Sequence, residues 1–187
     1  MTIRKLLSIA AGALCFCAAS LAQASTIGVT YTVNGTGTGD PANPPLIGAG
    51  TGVVTPLNLL GNMTWADAGF PNLATGALQG TFTMTSTNGD TLFGILQEQL
   101  NLAAAPNPDF TQILTITGGT GALRFYNGTL SGNGLANLVT GAFSVSGSGT
   151  LNTTPEPGSV ALLLTGLMLL AVPKRWQRAG KVTSRSY

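Results

Sequence analysis

Apolar and polar residues alternate with a period of two along much of this 187-residue chain. Ile27, Val29, Tyr31 and Val33 are separated by Gly28, Thr30 and Thr32, the spacing of a strand with one buried face. Phe82 and Met84 alternate with Thr81, Thr83 and Thr85; Asn88-Gly89-Asp90 then supplies a tight turn, and residues 91–96 continue as a second strand. Residues 78–97 are therefore the clearest hairpin. Further strands are predicted over 110–117, 122–131 and 138–151, where Phe143 and Val145 alternate with Ser144 and Ser146. Proline-rich loops fall at 40–45 and 105–108, and residues 96–105 make the only stretch that passes for a short helix. Gly-Thr-Gly strings at 35–39 and 118–121 read as turns, since neither carries the Lys and following helix of a phosphate loop. The fold class is all-β, a small antiparallel β-barrel or β-sandwich.

Both ends of the chain break this pattern. Arg4 and Lys5 precede an almost wholly apolar run over 6–21, and Ala22-Gln23-Ala24 fits a small-x-small cleavage site, which makes 1–24 a signal peptide and Ser25 the first mature residue. Cys15 and Cys17 lie inside that segment without a lipobox, so the mature chain has no thiol. At the other end, Pro155-Glu156-Pro157 opposes helix and separates the domain from the C-terminal segment. Residues 158–173 carry no charge and form a predicted transmembrane helix of about 24 Å, short of a core of about 30 Å. Lys174, Arg175 and Arg178 can snorkel and, by the positive-inside rule, keep that end cytoplasmic and the domain outside.

Taken together, Pro155-Glu156-Pro157, the apolar span and the basic end resemble the PEP-CTERM class of exported bacterial proteins over roughly the last 30 residues. The resemblance implies Sec export, transient membrane anchoring through the tail, and recognition by exosortase, a membrane-embedded protease or transpeptidase of exopolysaccharide-producing bacteria. It further implies release or attachment at the cell surface. Pro173 closes the span just before the basic cluster, and the chain continues to Tyr187, both departures from the usual tail.

Of eight Lys and Arg, all but Arg124 sit in these two end segments. Residues 25–154 hold Asp40, Asp67, Asp90, Glu98 and Asp109 against Arg124, a net charge of −4. A single cation excludes nucleic acid as a partner, because phosphate binding needs several. About 130 residues suffice for one domain with its own core.

Ile116-Thr-Gly-Gly-Thr-Gly121, followed by an aromatic and further glycines, resembles the glycine-rich turn of dirigent and allene oxide cyclase-like barrels. Gly80-Thr-Phe-Thr-Met84 and Asn88-Gly89-Asp90-Thr91-Leu92 fit loosely as preceding elements. The resemblance implies about eight strands around a central apolar cavity. Here Ala122 and Leu123 separate the glycines from Arg124-Phe125, and no catalytic residue carries over.

Chemistry is limited by what is missing. The chain has no His, and the mature part no Cys, which removes the commonest general base, metal ligands and nucleophile. No cofactor, metal or catalytic residue is expected, and the domain reads as non-enzymatic. A glycosidase would need two facing carboxyl groups, for which Glu98 and Asp109 are the one pair to consider. Trp65, in a predicted loop between Asn62-Met63-Thr64 and Asp67-Ala68-Gly69, is the candidate ligand-binding aromatic. Three functions stay open: a structural or adhesive surface protein associated with exopolysaccharide and biofilm, a carbohydrate- or small-ligand-binding barrel, and a carboxylate-based enzyme.

Overall fold

Eight strands run up and down around a closed antiparallel barrel, each hydrogen-bonded to its neighbours in sequence, with the last joined to the first. They are β1 (Thr26–Asp40), β2 (Asn43–Thr55), β3 (Gly61–Asn72), β4 (Ala77–Ser86), β5 (Thr91–Leu100), β6 (Asp109–Gly119), β7 (Tyr126–Ala136) and β8 (Ala142–Thr153). This computed structural model describes residues 24–40, 43–56 and 58–154. The predicted signal peptide through Gln23, the Pro155-Glu156-Pro157 motif, the span over 158–173 and the basic cluster at Lys174, Arg175 and Arg178 lie outside the described residues. Among the described residues no helix is long and apolar enough to cross a membrane.

The alternation read from β1 sorts side chains as expected. Val29, Tyr31 and Val33 point inward, and Thr30, Thr32 and Asn34 point out. The barrel alternative is the correct one, and closure depends on β1 pairing with β8 from Thr26↔Asn152 to Thr36↔Ala142. Closure leaves no unpaired edge for aggregation. The Ser25 N–H donates to Thr153 Oγ1 at 3.0 Å and the Thr153 N–H to Ser25 O at 2.9 Å, so the chain enters and leaves the barrel at one end.

Two expectations are corrected. Residues 96–105 are not a helix: Leu96, Glu98 and Leu100 continue β5 with period two, and only Leu102–Ala104 makes a single 3-10 turn before Pro106. The glycines of 35–39 are not a turn either, since Gly35 and Gly37 are interior positions of β1. The predicted turn at Asn88-Gly89-Asp90 does join β4 to β5, with Gly89 at φ +87°, where a glycine avoids strain.

Size complementarity fills the interior. Tyr31 faces Gly147 in the β1–β8 register, Phe110 faces Gly134 across β6–β7, and Phe143 faces Gly35 across β1–β8. A Cβ at any of these glycines would overlap the opposing ring. Each bulky inward ring is thus matched by a missing side chain, the way small barrels fit a limited bore. The end where the chain enters and leaves is plugged: Leu60 and Leu123, from the β2–β3 and β6–β7 connections, fold inward over Val54, Met84, Leu92 and Leu151. Among the described residues no comparable pair of buried leucines closes the opposite end.

Candidate ligand cavity

The open end holds a cavity of about 230 Å³, walled by Leu46, Leu78, Leu100, Phe110, Ala136 and Phe143, with Trp65, Asp67, Glu98 and Gln112 among its lining. These six apolar residues occupy inward positions of six strands, so the walls they make follow from barrel parity. A volume below the 300–1,000 Å³ of drug-sized pockets suits a small molecule or the end group of a longer one.

Polar groups inside the barrel form two short chains. The Tyr31 hydroxyl donates to Gln112 Oε1 at 2.8 Å, and Gln112 Nε2 donates to Glu98 Oε1 at 2.6 Å. Glu98 and Gln112 are directly paired in the β5–β6 register, which brings their side chains together on the inner face. On β3, the Trp65 indole N–H donates to Asp67 Oδ1. Trp65 also stacks on Phe82, with ring centroids 5.4 Å apart and planes 9° from parallel. No buried side-chain nitrogen or oxygen among the described residues lacks a hydrogen-bond partner.

Burial dominates the electrostatics. It pushes the Glu98 carboxyl up to about 7, with the hydrogen bond from Gln112 opposing and the nearby Asp67 charge adding to the rise. Asp67 is also raised by burial, against the lowering effect of the Trp65 N–H. Burial lifts the Tyr31 phenol well above its ordinary range, with Glu98 contributing, so it stays a protonated donor. Two carboxyl groups therefore sit at the base of an apolar cavity, with no cation of the described residues lining it beside them.

The site differs from the sequence-based expectation in two respects. Trp65 lies not in a loop but at the middle of β3, 3% exposed and turned into the barrel. Glu98 and Asp109 are not brought together: the pairing Glu98↔Gln112 puts Phe110 inward and leaves Asp109 outside, where it accepts from Asn101 Nδ2 at 3.0 Å. Asp67 is the carboxylate that shares the cavity with Glu98 and whose charge acts on it, and sequence reasoning missed it. Its parity with Trp65, two residues earlier on one strand face, was the available signal. Among the described residues no group of three or more His, Cys, Asp or Glu could hold a metal ion.

No protein-family model and no curated protein matches the sequence. Among solved structures, the chain is similar to that of the pterocarpan synthase dirigent protein GePTS1, with 16% identity over 71% of this chain and 87% of that one and a TM-score of 0.45.

Proposed function

We propose that residues 25–154 are an exported, non-enzymatic β-barrel that binds a small ligand through its open end, and that the chain is routed outward as a PEP-CTERM substrate of exosortase. The observation that carries the binding reading is the pair Asp67 and Glu98. A carboxyl group in an apolar interior costs stability when no cation accompanies it, whereas Leu at either position would add to the core. A purely structural matrix protein gains nothing from that arrangement; a binding site does. Association with exopolysaccharide remains compatible with a cavity sized for the end group of a longer chain.

A carboxylate-based enzyme is the second reading, and one observation favours it. Glu98, held near 7 beside a second carboxyl, has the poise of a general acid or base. Binding without turnover of the bound compound separates the first reading from the second.

The test uses a neutral apolar probe, 2-phenylethanol, and the full chain in nanodiscs, with empty nanodiscs as blank. Saturable binding that is lost in Ala136→Phe, which fills the cavity from β7, supports the site. Unchanged binding in that variant would place the probe elsewhere and end the proposal.

A further inference from the structure

Resting on the ligand-binding reading above, we propose that the cavity selects a ligand with a protonated amine head on an apolar body, the ammonium seated between Asp67 and Glu98.

The hydrogen-bond directions inside the cavity define the class. Of the side-chain donors in its lining, the Trp65 N–H is used on Asp67 and a Gln112 N–H on Glu98. The Thr38 hydroxyl is used on the Ile47 carbonyl, and Asn137 Nδ2 on Asn107. Each carboxyl accepts one of these bonds with one oxygen. Their other oxygens carry no hydrogen bond from the described residues and are not fully buried, and both residues line the cavity. Gln112 and Asn137 each keep a second amide N–H, but the charged groups left for a ligand are the acceptor oxygens of two carboxyl groups, and what complements those is a donor with positive charge.

The charge distribution along the barrel points the same way. Asp40 at the end of β1 and Asp109 at the start of β6 stand at the mouth, with Asp67 and Glu98 inside it. Arg124, the sole cation of residues 25–154, belongs to the β6–β7 connection at the plugged end, its guanidinium 4.5 Å from the Phe125 ring centroid. An anionic mouth with low-dielectric walls draws cations in and repels anions. The apolar walls then accept the body of the molecule. A carboxylate ligand would meet two like charges and no cation of the described residues. An alcohol would gain the hydrogen bonds without the charge.

Three probes with one body separate these cases: 2-phenylethylamine, 2-phenylethanol and 3-phenylpropionate, titrated by calorimetry against the full chain in nanodiscs at pH 8. The expected result is an amine bound at least tenfold more tightly than the alcohol, with the acid not bound. In Asp67→Asn and Glu98→Gln the amine-to-alcohol ratio is expected to fall below about threefold. Amine and alcohol bound equally, or the acid bound as well as the amine, overturns the ammonium head while leaving a ligand cavity in place. No binding of any probe overturns the cavity reading as well.

Discussion

Gly48 lies directly across the β2–β3 ladder from Asp67, and a Cβ at position 48 would overlap the Asp67 carboxyl. The space for one half of the acidic pair is therefore made by a missing side chain on the adjacent strand. In Gly48→Ala the atoms in the way belong to the end of the Asp67 side chain, which can swing aside. We expect a loss of stability of about 1 kcal/mol, the low end for a buried donor that loses its partner, because the Trp65–Asp67 hydrogen bond is broken, and with it a weakened preference for amines. Gly80→Ala is the contrast: there the new Cβ meets the Ala68 carbonyl of the backbone, which cannot move without disturbing the ladder. It should cost about 1–3 kcal/mol or more. Urea denaturation of the two variants, with fluorescence read at Trp65, checks the difference.

Stability should fall as pH rises through the slightly acidic range. Glu98 titrates at about 7 in the folded chain against an ordinary value of 4.5. Between those values the folded state holds more protons than the unfolded one, so each increment of pH favours unfolding. The stability is fully present below about 4.5, declines up to about 7, and levels off above it, for a total on the order of 3 kcal/mol at most. Asp67, also raised, adds in the same direction. Unfolding free energies measured at pH 4.5, 6 and 8 should decrease in that order, and Glu98→Gln should remove most of the slope. Stability that rose with pH would contradict the burial of these carboxyl groups.

Tyr31→Phe isolates the inner hydrogen-bond chain. The ring still fills the space opposite Gly147, but Gln112 Oε1 loses its donor inside the barrel, where Gln112 is 2% exposed. A buried acceptor left unpaired costs about 1–3 kcal/mol. The companion variant Tyr31→Phe with Gln112→Leu removes both partners and should recover part of that loss, leaving Glu98 without its Gln112 donor and its pKa higher still. Urea denaturation of the single and double variants checks the ordering.

Much of the fold could be read from the alternation in β1 and in the β4–β5 hairpin, because Val29, Tyr31, Val33, Phe82 and Met84 mark the inner face with large side chains. The β2–β3 pair escaped notice for a physical reason. Its inner face is Gly48, Gly50 and Gly52 on β2, so the apolar marker of period two is erased where the opposing strand carries Met63, Trp65 and Asp67. Trp65 consequently read as a loop residue. The carboxylate pair was misassigned by one step of parity: β5–β6 register decides that position 112 faces in and 109 faces out, and register is a long-range property of the closed sheet. Closure itself rests on the pairing of residues more than a hundred positions apart, which no local pattern announces.

For the ends of the chain, the expectation is a mature protein that begins at Ser25 and, where exosortase is present, ends near Pro155–Pro157. Intact-mass spectrometry of envelope and medium fractions from strains with and without the enzyme checks it. A chain running from Ser25 to Tyr187 in both strains would reduce the tail to a plain anchor. Because the described residues that line the cavity fall between Gly37 and Phe143, processing is expected to leave the affinity for 2-phenylethanol unchanged.

The central claim is that the open end of the barrel is a ligand site, and the indole N–H resonance of Trp65 reports on it most directly. In a ¹H–¹⁵N spectrum of the full chain titrated with 2-phenylethanol, that resonance and the amides of Leu78, Leu100 and Ala136 should shift saturably, while Leu60 and Leu123 at the plugged end stay in place. Shifts confined to the plugged end or the outer wall, or none at saturating probe, would contradict the account.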